Sequence, residues 1–222
     1  MSKQVAHLAV SVIAFAALVV LTSSPAQAQV VTDQNFGPPT PHNLSAILAE
    51  GFAYAAQTVT AGVSGPLVGA DVYFGEFAEQ TVPWEVRVHQ VVNGTPTGTV
   101  LALVTIPSSQ VPSALDVPPQ FVHVDFPSPP TFTAGQQFAL VVHLQGTEGS
   151  PGLFAGSWQG NADGLYPGGQ LFFSLNGTTF LPDPPPFDVF FRTFVQIPEP
   201  SSGCGVMLAM FAAAGTRRRR AR

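Results

Sequence analysis

An all-β body, folded as an antiparallel two-sheet sandwich, is the class this sequence predicts, and three observations predict it. Glycine and proline supply 21 and 22 of the 222 residues and cluster between short apolar runs, which favours many short strands joined by turns. Within several of those runs apolar and polar residues alternate with period two, the mark of a strand buried on one face. Between the two ends, no run carries a convincing 3.6-residue apolar period of an amphipathic helix.

In chain order, Val30 to Asn43 is rich in proline and polar residues and reads as a leader or an irregular first strand. Residues 29–50 are therefore read as a leader segment and 51–196 as the sandwich domain. Phe52 to Ala61 and Leu67 to Phe74 are aromatic and β-branched runs divided by the turn sequence Gly62-Val63-Ser64-Gly65-Pro66. The clearest alternation is Trp84-Glu85-Val86-Arg87-Val88-His89, followed by Asn93-Gly94 and by Thr99 to Val104. That is a hairpin signal, with Pro96 and Thr97 lengthening the loop beyond the tight two-residue case.

The same period recurs in Val122, Val124 and Phe126, and in Phe138, Leu140, Val142 and Leu144. It places His123, Asp125, His143 and Gln145 on the opposite, polar face. With Leu153 to Trp158, Leu171 to Leu175 and Val189 to Val195, the runs make about nine strands, enough for two sheets. A jelly roll is the expected arrangement. Gly168 to Ser174, Asn176-Gly177 and the closing run Asp188 to Val195 resemble the jelly-roll sandwiches common in surface proteins with sorting tails, over roughly Ala56 to Val195.

Charge narrows the function classes. The only lysine, Lys3, and five of the arginines lie at the ends, so Gln29 to Ile197 keeps Arg87 and Arg192 against twelve Asp and Glu. Such a body repels a phosphate backbone, and no nucleic-acid partner is expected. Arg87 and Arg192 are expected to pair with nearby acids such as Glu85 or Asp188. The single cysteine, Cys204, sits in the C-terminal tail, so no internal disulfide braces the body.

The two ends read as addresses. Lys3, the uncharged run Leu8 to Leu21, and Ala26-Gln27-Ala28 form a secretory signal peptide, residues 1–28, with a signal-peptidase cut after Ala28. At the other end Pro198-Glu199-Pro200 precedes an uncharged stretch, Ser201 to Thr216, and then Arg217, Arg218, Arg219 and Arg220. At 1.5 Å per residue that stretch reaches ~24 Å, short of a ~30 Å hydrocarbon core, so it suits a short apolar helix serving as a temporary stop. This order of Pro-Glu-Pro, apolar segment and arginine cluster, residues 197–222, closely resembles the PEP-CTERM sorting signal. The resemblance implies recognition by an exosortase, a membrane transpeptidase that cuts near Pro-Glu-Pro. It implies transient anchoring in the inner membrane, then delivery to the cell surface or extracellular matrix of a bacterium.

Chemistry is sparse. No Gly-x-Ser-x-Gly elbow, His-Glu-x-x-His or phosphate loop is present, so no catalytic residue and no cofactor are assigned. A non-enzymatic structural role is expected, and a polysaccharide hydrolase with scattered paired carboxylates stays open as an alternative. His89, His123 and His143, with Asp125, would converge on a metal only if their strands were neighbours; solvated strand positions are the expectation, and no metal is assigned. Trp158-Gln159-Gly160-Asn161-Ala162-Asp163-Gly164-Leu165-Tyr166 joins two aromatics through amides and a carboxylate. Trp158, Asn161, Asp163 and Tyr166 are thus candidate sugar-binding residues for an extracellular polysaccharide, because sugar rings present C–H faces ringed by hydroxyls. A turn whose rings cap the core, or a fragment of a calcium loop, are the other readings of the same stretch.

Overall fold

In the computed structural model, residues 28–37, 45–48, 53–77, 82–113, 120–146, 156–161, 165–183 and 187–198 are described. The first strands are β1 (Gln29–Phe36), β2 (Ser45–Leu48), β3 (Tyr54–Thr60), β4 (Gly65–Glu76) and β5 (Trp84–Val92). Then come β6 (Thr95–Ile106), a single 3-10 turn at Ser108–Gln110, β7 (Gln120–Asp125), β8 (Thr131–Phe132) and β9 (Gln137–Leu144). The last are β10 (Gly156–Asn161), β11 (Leu171–Ser174), β12 (Leu181–Pro182), β13 (Asp188–Val189) and β14 (Phe191–Ile197). Val30–Ile197 forms one compact unit.

The strands build two antiparallel sheets. The larger runs β1-β14-β4-β10-β13, with β7 and β8 paired to β4 and β2 paired to β10. The smaller runs β12-β11-β3-β9-β5-β6. Their inner faces are the alternating apolar positions of the sequence: Val72 and Phe74 of β4, Val122 and Val124 of β7 and Trp158 of β10 meet Val86 and Val88 of β5 and Leu140 and Val142 of β9. Trp84 reaches across to Phe74 edge to face, with centroids 5.0 Å apart. Gly156 leaves room for that indole, since a Cβ there would lie 2.9 Å from it.

Two local expectations change. Residues 29–36 are strand β1, a member of the larger sheet, so of the two readings of this stretch the first strand holds and the sandwich begins before residue 51. The proline-rich stretch that obscured its period lies after it. The β5–β6 hairpin is also tighter than the loop expected from Pro96 and Thr97: Val92 pairs with Thr95, leaving a two-residue turn. Asn93 (φ 52°) and Gly94 (φ 79°) both take the left-handed conformation that such a turn requires. Pro96 is tolerated inside β6 because β6 is an edge strand, where a missing N–H need not break a ladder.

The outer face of the smaller sheet is covered over β3, β9 and β11, while Leu101 and Leu103 of the edge strand β6 stay exposed. Ala53, Tyr54, Ala56, Ala139, Val141, Phe172 and Phe180 form a second buried cluster there. The segment between β11 and β12 covers it: Gly177 lies over the Tyr54 ring, and Phe180 packs edge-on to His89 with centroids 5.6 Å apart. Asn176 shapes this strap by accepting hydrogen bonds from the Thr178 and Thr179 N–H groups, both 3.0 Å.

Candidate functional site

Polar groups gather on the outer face of the larger sheet. Pairing sets Arg192 of β14 opposite Asp71 of β4, and Asp71 opposite His123 of β7, so the three form one cross-strand row. The His123 Nδ1–Asp71 Oδ1 distance is 2.6 Å, and Nε2 lies 3.3 Å from Asp125 Oδ1. Arg192 Nη1 lies 3.6 Å from Asp71 Oδ2, and its Nε donates to Asn35 of β1 at 3.2 Å.

Two aromatics frame the row. The Arg192 guanidinium sits 4.0 Å above the Phe121 ring, and Phe194 packs edge-on to the His123 imidazole at 5.5 Å. Gly69, the residue of β4 beside this contact, admits no side chain: a Cβ there would lie 2.8 Å from the Val124 carbonyl oxygen and 3.4 Å from His123 Cε1. Asp71 is nearly covered, while the side chains of His123, Arg192 and Asp125 are 53%, 39% and 86% exposed.

Burial lowers the His123 pKa, but the hydrogen bonds and negative charges of Asp71 and Asp125 outweigh it and leave the pKa raised. The imidazolium can donate to both carboxylates at once, which the neutral ring cannot. Beside the row, a groove of about 390 Å³ runs between β6 and β7, lined by Thr105, Gln110 and Gln120 among others. Among the described residues β7 pairs only with β4 and β6 only with β5, so both groove walls are strand edges.

The three histidines do not come together. His123 belongs to the larger sheet, whereas His89 and His143 lie on β5 and β9 of the smaller one. Both of the latter are fully buried, which corrects the expectation of solvated positions. His143 stacks on Tyr54 with centroids 4.0 Å apart, and its Nδ1 lies 2.9 Å from the Ala53 carbonyl oxygen. His89 donates from Nδ1 to the Thr97 carbonyl at 2.7 Å, and its Nε2 is buried with no partner among the described residues. Burial, helped by the Arg87 charge and only partly offset by the Thr97 carbonyl, lowers the His89 pKa and keeps the ring neutral. Among the described residues no group of three or more His, Cys, Asp or Glu is arranged to hold a metal ion.

Trp158 is completely enclosed, its indole N–H donating to the Phe190 carbonyl at 2.9 Å. Tyr166 is 7% exposed, bonds through its hydroxyl to Gln34, and has its pKa pushed up to about 12, chiefly by burial. Neither ring presents an open face to a sugar, so the candidate platform becomes part of the core, because β10 runs inside the larger sheet. Asn161 is partly buried at the end of β10, and Asp163 lies outside the described residues.

The expected ion pairs hold for one arginine and change for the other. Arg87 pairs with Glu85. Arg192 takes Asp71 instead of Asp188, which is buried and bonded to the Gln57 side-chain amide at 2.8 Å and the Tyr166 N–H at 2.9 Å. Burial raises the Asp188 pKa, and those two bonds only partly counter it. The sequence singles out Arg192 but not Asp71 as its partner, because their partnership depends on pairing residues 121 positions apart.

Ala28 and Pro198 are exposed at the limits of the described chain; Ala26, Glu199, Pro200 and Arg217 to Arg220 lie outside it. Among the described residues no helix is long and apolar enough to cross a membrane. No protein-family model matches this chain, and no curated protein matches its sequence.

Proposed function

We propose that this chain is an exported bacterial cell-surface or exopolysaccharide-matrix protein, sorted by an exosortase, whose body serves a non-enzymatic structural role as a jelly roll. One observation carries the reading: both processing points fall at the limits of the sheets. Strand β1 begins at Gln29, immediately after Ala26-Gln27-Ala28, and β14 ends at Ile197, immediately before Pro198-Glu199-Pro200. Among the described residues, removing both addresses deletes no strand. The jelly-roll assignment is supported by the strand orders, in which β3-β9-β5-β6 faces a second sheet with β4 between β7 and the pair β10 and β14. The test is intact mass in cell fractions with and without the exosortase gene; unchanged mass and location sinks the reading.

A second reading is carbohydrate recognition, moved from Trp158 to the outer face of the larger sheet. It is favoured by exposed hydrogen-bonding groups on Asp125, His123 and Arg192 beside the half-buried rings of Phe121 and Phe194. Polysaccharide binding that persists unchanged in a Phe121→Ala, Asp125→Ala double variant removes this face as the site.

A further inference from the structure

We propose that the exported chain starts at Gln29 and that this residue closes on itself to 5-oxoproline, leaving a body without a primary amine. The proposal rests on the reading of residues 1–28 as a cleaved signal peptide. Gln29 is exposed as the first residue of β1, and Val30 beside it is 55% exposed. Among the described residues, the side-chain ties of β1 to the fold include these further along the strand. Asp33 accepts hydrogen bonds from the N–H groups of Gly62 and Val63 at 2.9 and 2.6 Å, and the Gln34 N–H donates to Thr193 at 3.0 Å.

An N-terminal glutamine carries its own electrophile. The freed α-amine nitrogen attacks the side-chain carboxamide carbon, Cδ, and a five-membered lactam forms. The Cδ–Nε2 bond breaks, and that nitrogen leaves as ammonia with a proton from the amine. Nothing is oxidised or reduced, and no co-reactant is consumed. The product has lost the positive charge of its terminus.

Lysine supply makes this closure matter. Lys3 is the chain's only lysine and departs with the signal peptide, so the Gln29 α-amine is the one primary amine from Gln29 to Arg222. Once it is capped, the protein can enter a transpeptidation only as the acyl donor, through its C-terminal side. No copy can accept another, so copies cannot be linked amine to carbonyl into a polymer.

The experiment is peptide mass mapping of the native exported protein, together with labelling of the denatured chain by an amine-reactive N-hydroxysuccinimide ester. The expected result is an N-terminal peptide starting at Gln29, lighter by one ammonia, and no label. A peptide starting at Gln29 with its full mass and one label overturns the closure and leaves the export reading standing. A start at Met1 or Ser2 overturns both, and a start at any other residue overturns the closure alone. The Gln29→Ala variant should take a single label at its terminus; if it takes none, another group blocks that end and the closure is overturned.

Discussion

At the residue scale, two histidines of similar sequence setting have opposite acid–base roles. His89 is buried and kept neutral, so its folded pKa lies below the unfolded value of about 6.5. Its contribution to stability is present above that value and is lost as pH falls from it toward the folded pKa, because the unfolded chain binds the proton first. His123, held between Asp71 and Asp125, has a raised folded pKa. Its contribution is full below about 6.5 and is lost as pH rises through the folded value. Urea unfolding across pH should therefore show His123→Gln less stable than the parent at pH 5.5 to 6, with the gap closing above pH 8. A gap that is constant with pH refutes the carboxylate clamp. Trp158 gives a larger effect: Trp158→Ala should cost about 3–5 kcal/mol in the same measurement, the range for emptying a fully buried aromatic site.

At the element scale, the strap between β11 and β12 converts a sheet's outer face into a second core. Gly177 holds φ at 68°, and a Cβ there would lie 2.8 Å from the Tyr54 ring. Gly177→Ala should destabilise the fold by more than about 1 kcal/mol, through left-handed strain and the clash together. The same variant should raise amide exchange in β3 and around His143, since Tyr54 and His143 stack beneath the strap. A variant as stable as the parent, with unchanged exchange, means that the strap does not cover this face. Strand β1 acts at the opposite sheet, where Asn35 and Gln34 bond to Arg192 and Thr193 and shield the closing strand β14.

At the scale of the whole molecule, twelve carboxylates face two guanidiniums between Gln29 and Ile197. Arg87 pairs with Glu85 and Arg192 with Asp71, so two guanidiniums serve a body with six times as many carboxylates. Raising monovalent salt from about 0.01 to 0.15 M shortens the screening length from ~30 to ~8 Å. The thermal midpoint should therefore rise by a few degrees, as self-repulsion is screened more than the two short pairs. A midpoint that falls with salt means that the pairs outweigh the repulsion.

The sequence by itself determined the class of fold, because period-two alternation and turn chemistry are local: Val86 and Val88 or Leu140 and Val142 face the core wherever their strands lie. It also determined the acidity of the body and the absence of body cysteine and lysine, which are matters of composition. Tertiary structure alone decided what the polar positions do. Alternation separates the two faces of a strand without saying whether the second face meets water. Beneath the strap His89 and His143 are buried, whereas His123 on the larger sheet remains half exposed. Trp158 became core because β10 entered the larger sheet, and Arg192 met Asp71 because β14 lies beside β4. Those outcomes depend on long-range pairing, whose free energy is set by contacts between residues far apart in the chain.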